Sequence, residues 1–185
     1  MHKYRFLMLI VMFLLPTLAR TETLLVIGDS ISAGYGLDKI ESGWVSLLSE
    51  KLKPRGIQVI NASISGDTSA GGLARIDELL ERHHPAIVMI ELGGNDGLRG
   101  LTPAEMESNL DSMVKRAKQA SAQTLLLGMK MPPNYGARYA GLFEKVYADV
   151  ARKEQITLIP FLLEGVGGKT ELMQPDGIHP NQQSQ

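Results

Sequence analysis

The sequence predicts an α/β protein, a three-layer α/β/α sandwich of doubly wound type built on a five-stranded parallel sheet. Two observations predict it. Five short apolar runs punctuate the chain, and longer segments with apolar residues at helical spacing separate them. Strands that alternate with helices require right-handed crossovers, which make the sheet parallel and lay helices over both faces.

Each element follows in order. Leu24 to Ile27 reads as a buried strand ending at Gly28, and Trp44, Leu48 and Leu52 mark one face of a helix that stops near Pro54 and Gly56. Ile57 to Ile60 is the second strand. Leu73, Ile76, Leu79 and Leu80 carry a helix that ends before Pro85, and Ala86 to Leu92 is the third strand, running into Gly93-Gly94. Thr102, Pro103 and Glu105 announce the next helix with a capping box and a first-turn proline. Its buried stripe is Met106, Leu110, Met113, Val114 and Ala117. Thr124 to Leu127 is a strand, Leu142 to Val150 an amphipathic helix, and Ile156 to Ile159 the last strand.

The 185 residues suffice for one domain and its core. Residues 1–19 read as a signal peptide and 20–185 as the folded domain. His2, Lys3 and Arg5 make a basic start, Phe6 to Leu15 is unbroken apolar sequence, and Thr17-Leu18-Ala19 follows Pro16. That apolar run is too short for a helix across a hydrocarbon layer of roughly 30 Å. The expectation is cleavage after Ala19, a bacterial periplasmic or secreted protein, and no lasting membrane anchor. A net charge of −1 excludes electrostatic recruitment to nucleic acid. The absence of cysteine excludes a thiol nucleophile and a disulfide framework.

In such sheets, ligands bind beyond the carboxyl ends of the strands. The segments there are Gly28-Asp29-Ser30, Asn61 to Asp67, Gly93 to Asp96, Met129 to Gly136 and the chain after Phe161. Ser30 leaves the first strand in a turn that lacks the lipase elbow, because Ser32 stands where G-x-S-x-G has its second glycine. A serine hydroxyl needs a base. Of four histidines, His2 falls in the leader, and His83 and His84 sit at a helix end where a cation suits the dipole. His179 remains, after the last strand, with Asp176 three residues before it. Asp176 can hold Nδ1 and leave Nε2 for the Ser30 proton. The plainer reading of Asp176-Gly177 is a surface turn. A tetrahedral intermediate also needs donors, for which the candidates are the amides of Ser30 and Gly66 and the side chain of Asn95. Asp29, Gly94, Leu98 and Pro133 are expected to contact substrate.

Gly28-Asp29-Ser30-Ile31, Gly66, Gly93-Gly94-Asn95-Asp96 and Asp176-x-x-His179-Pro180 together resemble the four blocks of the SGNH (GDSL-type) hydrolases. The likeness is strongest to bacterial periplasmic members described as thioesterases, lysophospholipases and arylesterases. It implies the flavodoxin-like fold of that family, Ser30, Asp176 and His179 as catalytic triad, and Ser30, Gly66 and Asn95 as oxyanion hole. It implies no metal and no cofactor, an acyl ester or thioester such as a lysophospholipid as substrate, and a monomer. It further implies that Gly97 to Pro103 moves around an acyl chain. Ile31 replaces the usual leucine, a swap that conserves volume. The family carries a final helix after the His-Pro pair. Without it, the sheet face beside the first strand is expected to lie uncovered, and His179, six residues from Gln185, to be loosely held. Alternatives are a carbohydrate acetyl-esterase of the same fold and a non-catalytic binding module. Against the latter, no phosphate-binding glycine motif is present.

Overall fold

A computed structural model describes residues 22–185; the leader expected at residues 1–19 lies outside them. Five strands, β1 (Glu22–Gly28), β2 (Ile57–Asn61), β3 (Ile87–Glu91), β4 (Gln123–Leu127) and β5 (Thr157–Ile159), form one sheet in the order β2-β1-β3-β4-β5. Every pairing is parallel. The helices are α1 (Ser30–Ala33), α2 (Trp44–Leu52), α3 (Ser69–His83), α4 (Gly94–Leu98), α5 (Pro103–Gln119) and α6 (Ala137–Glu154). Among the described residues, no helix is long and apolar enough to cross a membrane.

The sequence-based element order stands, with two additions. Ser30 does not sit in a plain turn but opens α1, and Asn95, in the segment beyond the third strand, lies within a short helix, α4. Both helices are too short to show an apolar period, so only tertiary contacts reveal them. The capping box at α5 forms as expected, with Thr102 and Glu105 each bonding the other's backbone N–H.

Cover of the two sheet faces is uneven. Leu25, Ile27, Val88, Ile90 and Leu126 point into the main core, which α3, α5 and α6 close with Ile76, Met106, Leu110, Phe143 and Tyr147. On the other face Leu24 and Val26 pack against Val45 of α2. Trp44 only flanks that contact, and Ile87 and Met89 on the same face are half-buried.

The strand order fixes where a site can form. From β1 the chain steps to one side for β2, then returns past β1 to build β3, β4 and β5 on the other. Right-handed crossovers therefore place helices on opposite faces and open a crevice at the carboxyl ends of β1 and β3. Gly28 and Glu91, the last residues of these strands, lie side by side in register. Ser30 and Asn95 follow within a few residues of each.

Candidate active site

At that crevice a cavity of about 690 Å³ opens, within the usual range of small-molecule sites. Asp29, Ser30, Gly66, Gly94, Asn95, Leu98, Pro133 and His179 all line it. Asp176 stands behind His179. Every residue that the sequence singled out is therefore brought to one place, from segments up to 149 positions apart.

Ser30 is the first residue of α1. The Asp29 carboxylate caps that helix, its Oδ1 accepting from Ile31 N–H at 3.0 Å. Ser30 Oγ lies 2.8 Å from His179 Nε2, and His179 Nδ1 lies 2.7 Å from Asp176 Oδ2. Asp176 Oδ1 accepts from the backbone N–H of His179 and of Ile178, at 3.0 and 2.9 Å. Burial raises the Asp176 carboxyl, but these hydrogen bonds and the imidazole outweigh it and hold the group below the usual carboxylate range. Asp176 therefore stays ionised at neutral pH, fit to orient an imidazole and balance its charge.

His179 is not loosely held in the described structure. Gln174 N–H donates to the His179 carbonyl at 2.7 Å, and Gln174 Nε2 bridges the carbonyls of Tyr35 (2.8 Å) and Pro180 (3.1 Å). The Tyr35 ring packs on the imidazole at 4.7 Å between centroids. Beyond it, Gln182 donates to Ser42 Oγ and Trp44 N–H donates to Gln185 Oε1. The loop thus ties itself to the segment between α1 and α2 by polar contacts, which no apolar pattern in the sequence announces.

Opposite the imidazole stand the candidate oxyanion donors. Gly66 has φ +82°, a conformation that glycine adopts without strain, and its carbonyl accepts from Arg99. Asn95 Nδ2 donates to the Asp67 carbonyl at 2.9 Å and to Asp29 Oδ2 at 3.0 Å, so the amide nitrogen is the atom turned toward Asp29. Behind it, the buried Asp96 carboxylate accepts from Ser69 N–H and Ser69 Oγ, locking α4 to the start of α3. Burial drives the Asp29 carboxyl up to about 6, against the Ile31 hydrogen bond, the charge of His179 and the Asn95 bond, with Asp67 adding to the rise.

Two contributions escaped sequence reasoning. Met129, Met131, Phe161, Leu163 and Met173 give the cavity an apolar wall; their loops carry no period, so only the fold gathers them. Glu91 is the second, a carboxyl buried completely beneath the turn that carries Ser30. A glutamate at the end of an otherwise apolar strand was the available signal.

The family profile of GDSL-like Lipase/Acylhydrolase proteins matches residues 26–185. The sequence is 57% identical over 169 residues to Esterase TesA of Pseudomonas aeruginosa, covering 90% of this chain and 84% of that one. It is 46% identical over 167 residues to Thioesterase 1/protease 1/lysophospholipase L1 of Escherichia coli, covering 90% and 79%. The fold superposes with a TM-score of 0.83 on the psychrotrophic esterase EstA from Pseudoalteromonas, in a structure inhibited by monoethylphosphonate. That match has 44% identity and covers 89% of this chain and 90% of the other.

Proposed function

The chain belongs to the GDSL-like lipase/acylhydrolase family, and from that premise we propose how its residues divide the work. The protein is a serine ester hydrolase. Ser30 is the nucleophile, His179 the base and then the acid, and Asp176 the group that orients the imidazole. The observation that carries this reading is the unbroken relay from Ser30 Oγ to His179 at 2.8 Å and on to Asp176 at 2.7 Å.

The reaction proceeds in two halves. His179 Nε2 takes the hydroxyl proton as Ser30 Oγ attacks the acyl carbonyl. The oxyanion forms among the amides of Ser30 and Gly66 and the Asn95 side chain. Asn95 has two N–H bonds, one directed to Asp67 and one to Asp29. The oxyanion draws on the second, while the Asp67 bond keeps the amide in place. His179 then returns its proton to the departing alcohol or thiol, leaving an acyl group on Ser30. Water activated by the same imidazole releases the acid.

The substrates are aliphatic acyl esters and thioesters, lysophospholipids among them. The methionine, phenylalanine and leucine wall of the cleft supports this class, as do the names of the relatives. An acetylated sugar would leave that wall in contact with water and hydroxyl groups. Export is part of the proposal and rests on the basic start, the apolar run and the small residues up to Ala19. N-terminal sequencing of exported protein is expected to begin at Arg20, and an intact Met1 would defeat it.

The test of function is covalent. A fluorophosphonate is expected to label the folded enzyme at Ser30 and to leave Ser30→Ala unlabelled. Rates on p-nitrophenyl esters of increasing chain length are expected to exceed those on acetylated sugars. Labelling at another residue, or preference for the sugar esters, overturns the respective half of the proposal.

A further inference from the structure

Glu91 has no part in the reaction above, yet it is fully buried at the end of β3, directly across from Gly28. Its Oε2 accepts from Ser32 Oγ at 2.6 Å and from Asp29 N–H at 3.2 Å. Those two residues bracket Ser30. The carboxyl also dictates its neighbour, since a Cβ on Gly28 would fall 2.7 Å from Glu91 Oε2. The Ser32 side chain would meet that Cβ equally closely, so glycine at position 28 leaves room for the carboxyl and its Ser32 partner together. Ser32 finds its use here as well: it stands where the lipase elbow has glycine, and its hydroxyl reaches the carboxyl.

Stability alone does not account for a glutamate there. Among the described residues Glu91 Oε1 finds no hydrogen-bond partner. A buried polar atom without a partner costs about 1–3 kcal/mol, which offsets part of what the bonds to Ser32 and Asp29 contribute. What Glu91 adds is a fixed acceptor shared by the two ends of a turn.

We infer that Glu91 is a positioning residue for the nucleophile, fixing residues 29 and 32 so that Ser30 stands within reach of His179. Burial first, and then the charge of Asp29, push the Glu91 carboxyl well above its ordinary range. Glutamine keeps an amide oxygen that can accept from Ser32 Oγ and Asp29 N–H, and is the nearest substitute in shape.

The inference rests on Ser30 being the nucleophile, and its test separates the two. The rate of phosphonylation by a fluorophosphonate is measured beside kcat, KM and thermal unfolding, for wild type, Glu91→Gln, Glu91→Leu and Ser32→Ala. Glu91→Gln is expected to stay near wild type. Glu91→Leu, assayed well below its melting temperature, is expected to phosphonylate about a hundredfold more slowly, the scale of a nucleophile displaced by an ångström, with KM unchanged; its melting falls, because Asp29 N–H and the Ser32 hydroxyl lose their acceptor. Ser32→Ala, which removes one of the two bonds and little else, is expected to slow labelling several-fold. A merely structural role predicts instead a wild-type labelling rate at temperatures where the variant is fully folded.

Wild-type labelling in folded Glu91→Leu overturns the inference, as does equal loss in Glu91→Gln and Glu91→Leu. Should Glu91→Leu fail to fold, Ser32→Ala decides, and an unchanged labelling rate there overturns it. Wild-type enzyme that does not label at Ser30 at all defeats the nucleophile assignment instead.

Discussion

Ser30 stands on a strand end packed into the core, whereas Asp176 and His179 stand on the least regular stretch of the chain. Around Ser30, Asp29, Ser32 and Glu91 are buried, and β1 has strands on both sides. Around His179, residues 161–185 contribute only 3-10 turns and one bridge between Met173 and Pro180. One half of the site is held by the sheet, the other by side-chain hydrogen bonds to loops. The two aspartates record the difference. Burial raises Asp29, while local hydrogen bonds outweigh burial and lower Asp176. A buried scaffold gives rigidity at an electrostatic cost, and an exposed loop keeps its carboxylate ionised but must build its rigidity bond by bond.

The hardest way to break this comparison is to remove one group from each half. Ser30→Ala and His179→Ala are each expected to lower kcat by about a millionfold, because members of such a unit fail together. Thermal unfolding should change little. Substantial residual turnover in His179→Ala alone would mean that the loop half does not supply the base.

Asp176→Asn comes next. With the imidazole no longer held in its tautomer, kcat on a p-nitrophenyl ester is expected to fall about ten-thousandfold, with KM nearly unchanged. A drop confined to KM would move Asp176 from orientation to binding.

Asp29→Asn sharpens the electrostatic side. The folded Asp29 titrates near 6, above its ordinary value of 3.8. Its contribution to stability is therefore fully present below about pH 3.8 and is lost as pH rises through about 6. Asparagine does not titrate, so urea unfolding should show the variant gaining on wild type by about 2 kcal/mol between about pH 4 and pH 7.5. A difference that stays flat with pH would show that burial of Asp29 carries no such cost.

Gln174→Ala is the smallest perturbation. It removes the bonds to the Tyr35 and Pro180 carbonyls while leaving the backbone bond to His179. Phosphonylation of Ser30 is expected to slow by about tenfold or less, in line with the loss of one or two partly exposed hydrogen bonds. No change would assign the hold on His179 to the Tyr35 ring and the backbone.

Much of the fold was legible because its signals are local. A capping box gave the start of α5, apolar period gave the middles of α3 and α6, whose ends lie several residues further out, and apolar runs gave all five strands. Trp44, Leu48 and Leu52 gave α2, although Val45 is the residue of that helix that packs fully against Leu24 and Val26. A half-covered sheet rewards whichever side chain faces its most buried strand, and no helical period reports that choice. The short helices α1 and α4 were illegible because four or five residues hold too few positions for a period.

The site divides along the same line. Ser30, Asp176 and His179, with Gly66 and Asn95, could be picked out because strand ends are where an open parallel sheet exposes polar groups, and because one histidine was left after the others were explained. The sequence by itself determined which residue types stand at the five strand ends, since strand–helix alternation and crossover handedness follow from near-neighbour patterns. Only the tertiary structure decided which strand ends are adjacent, how far Ser30 lies from His179, and that Glu91 sits under the Ser30 turn. Those facts depend on register and burial between segments far apart in the chain, and the charge and reach of a buried carboxyl are set by what surrounds it.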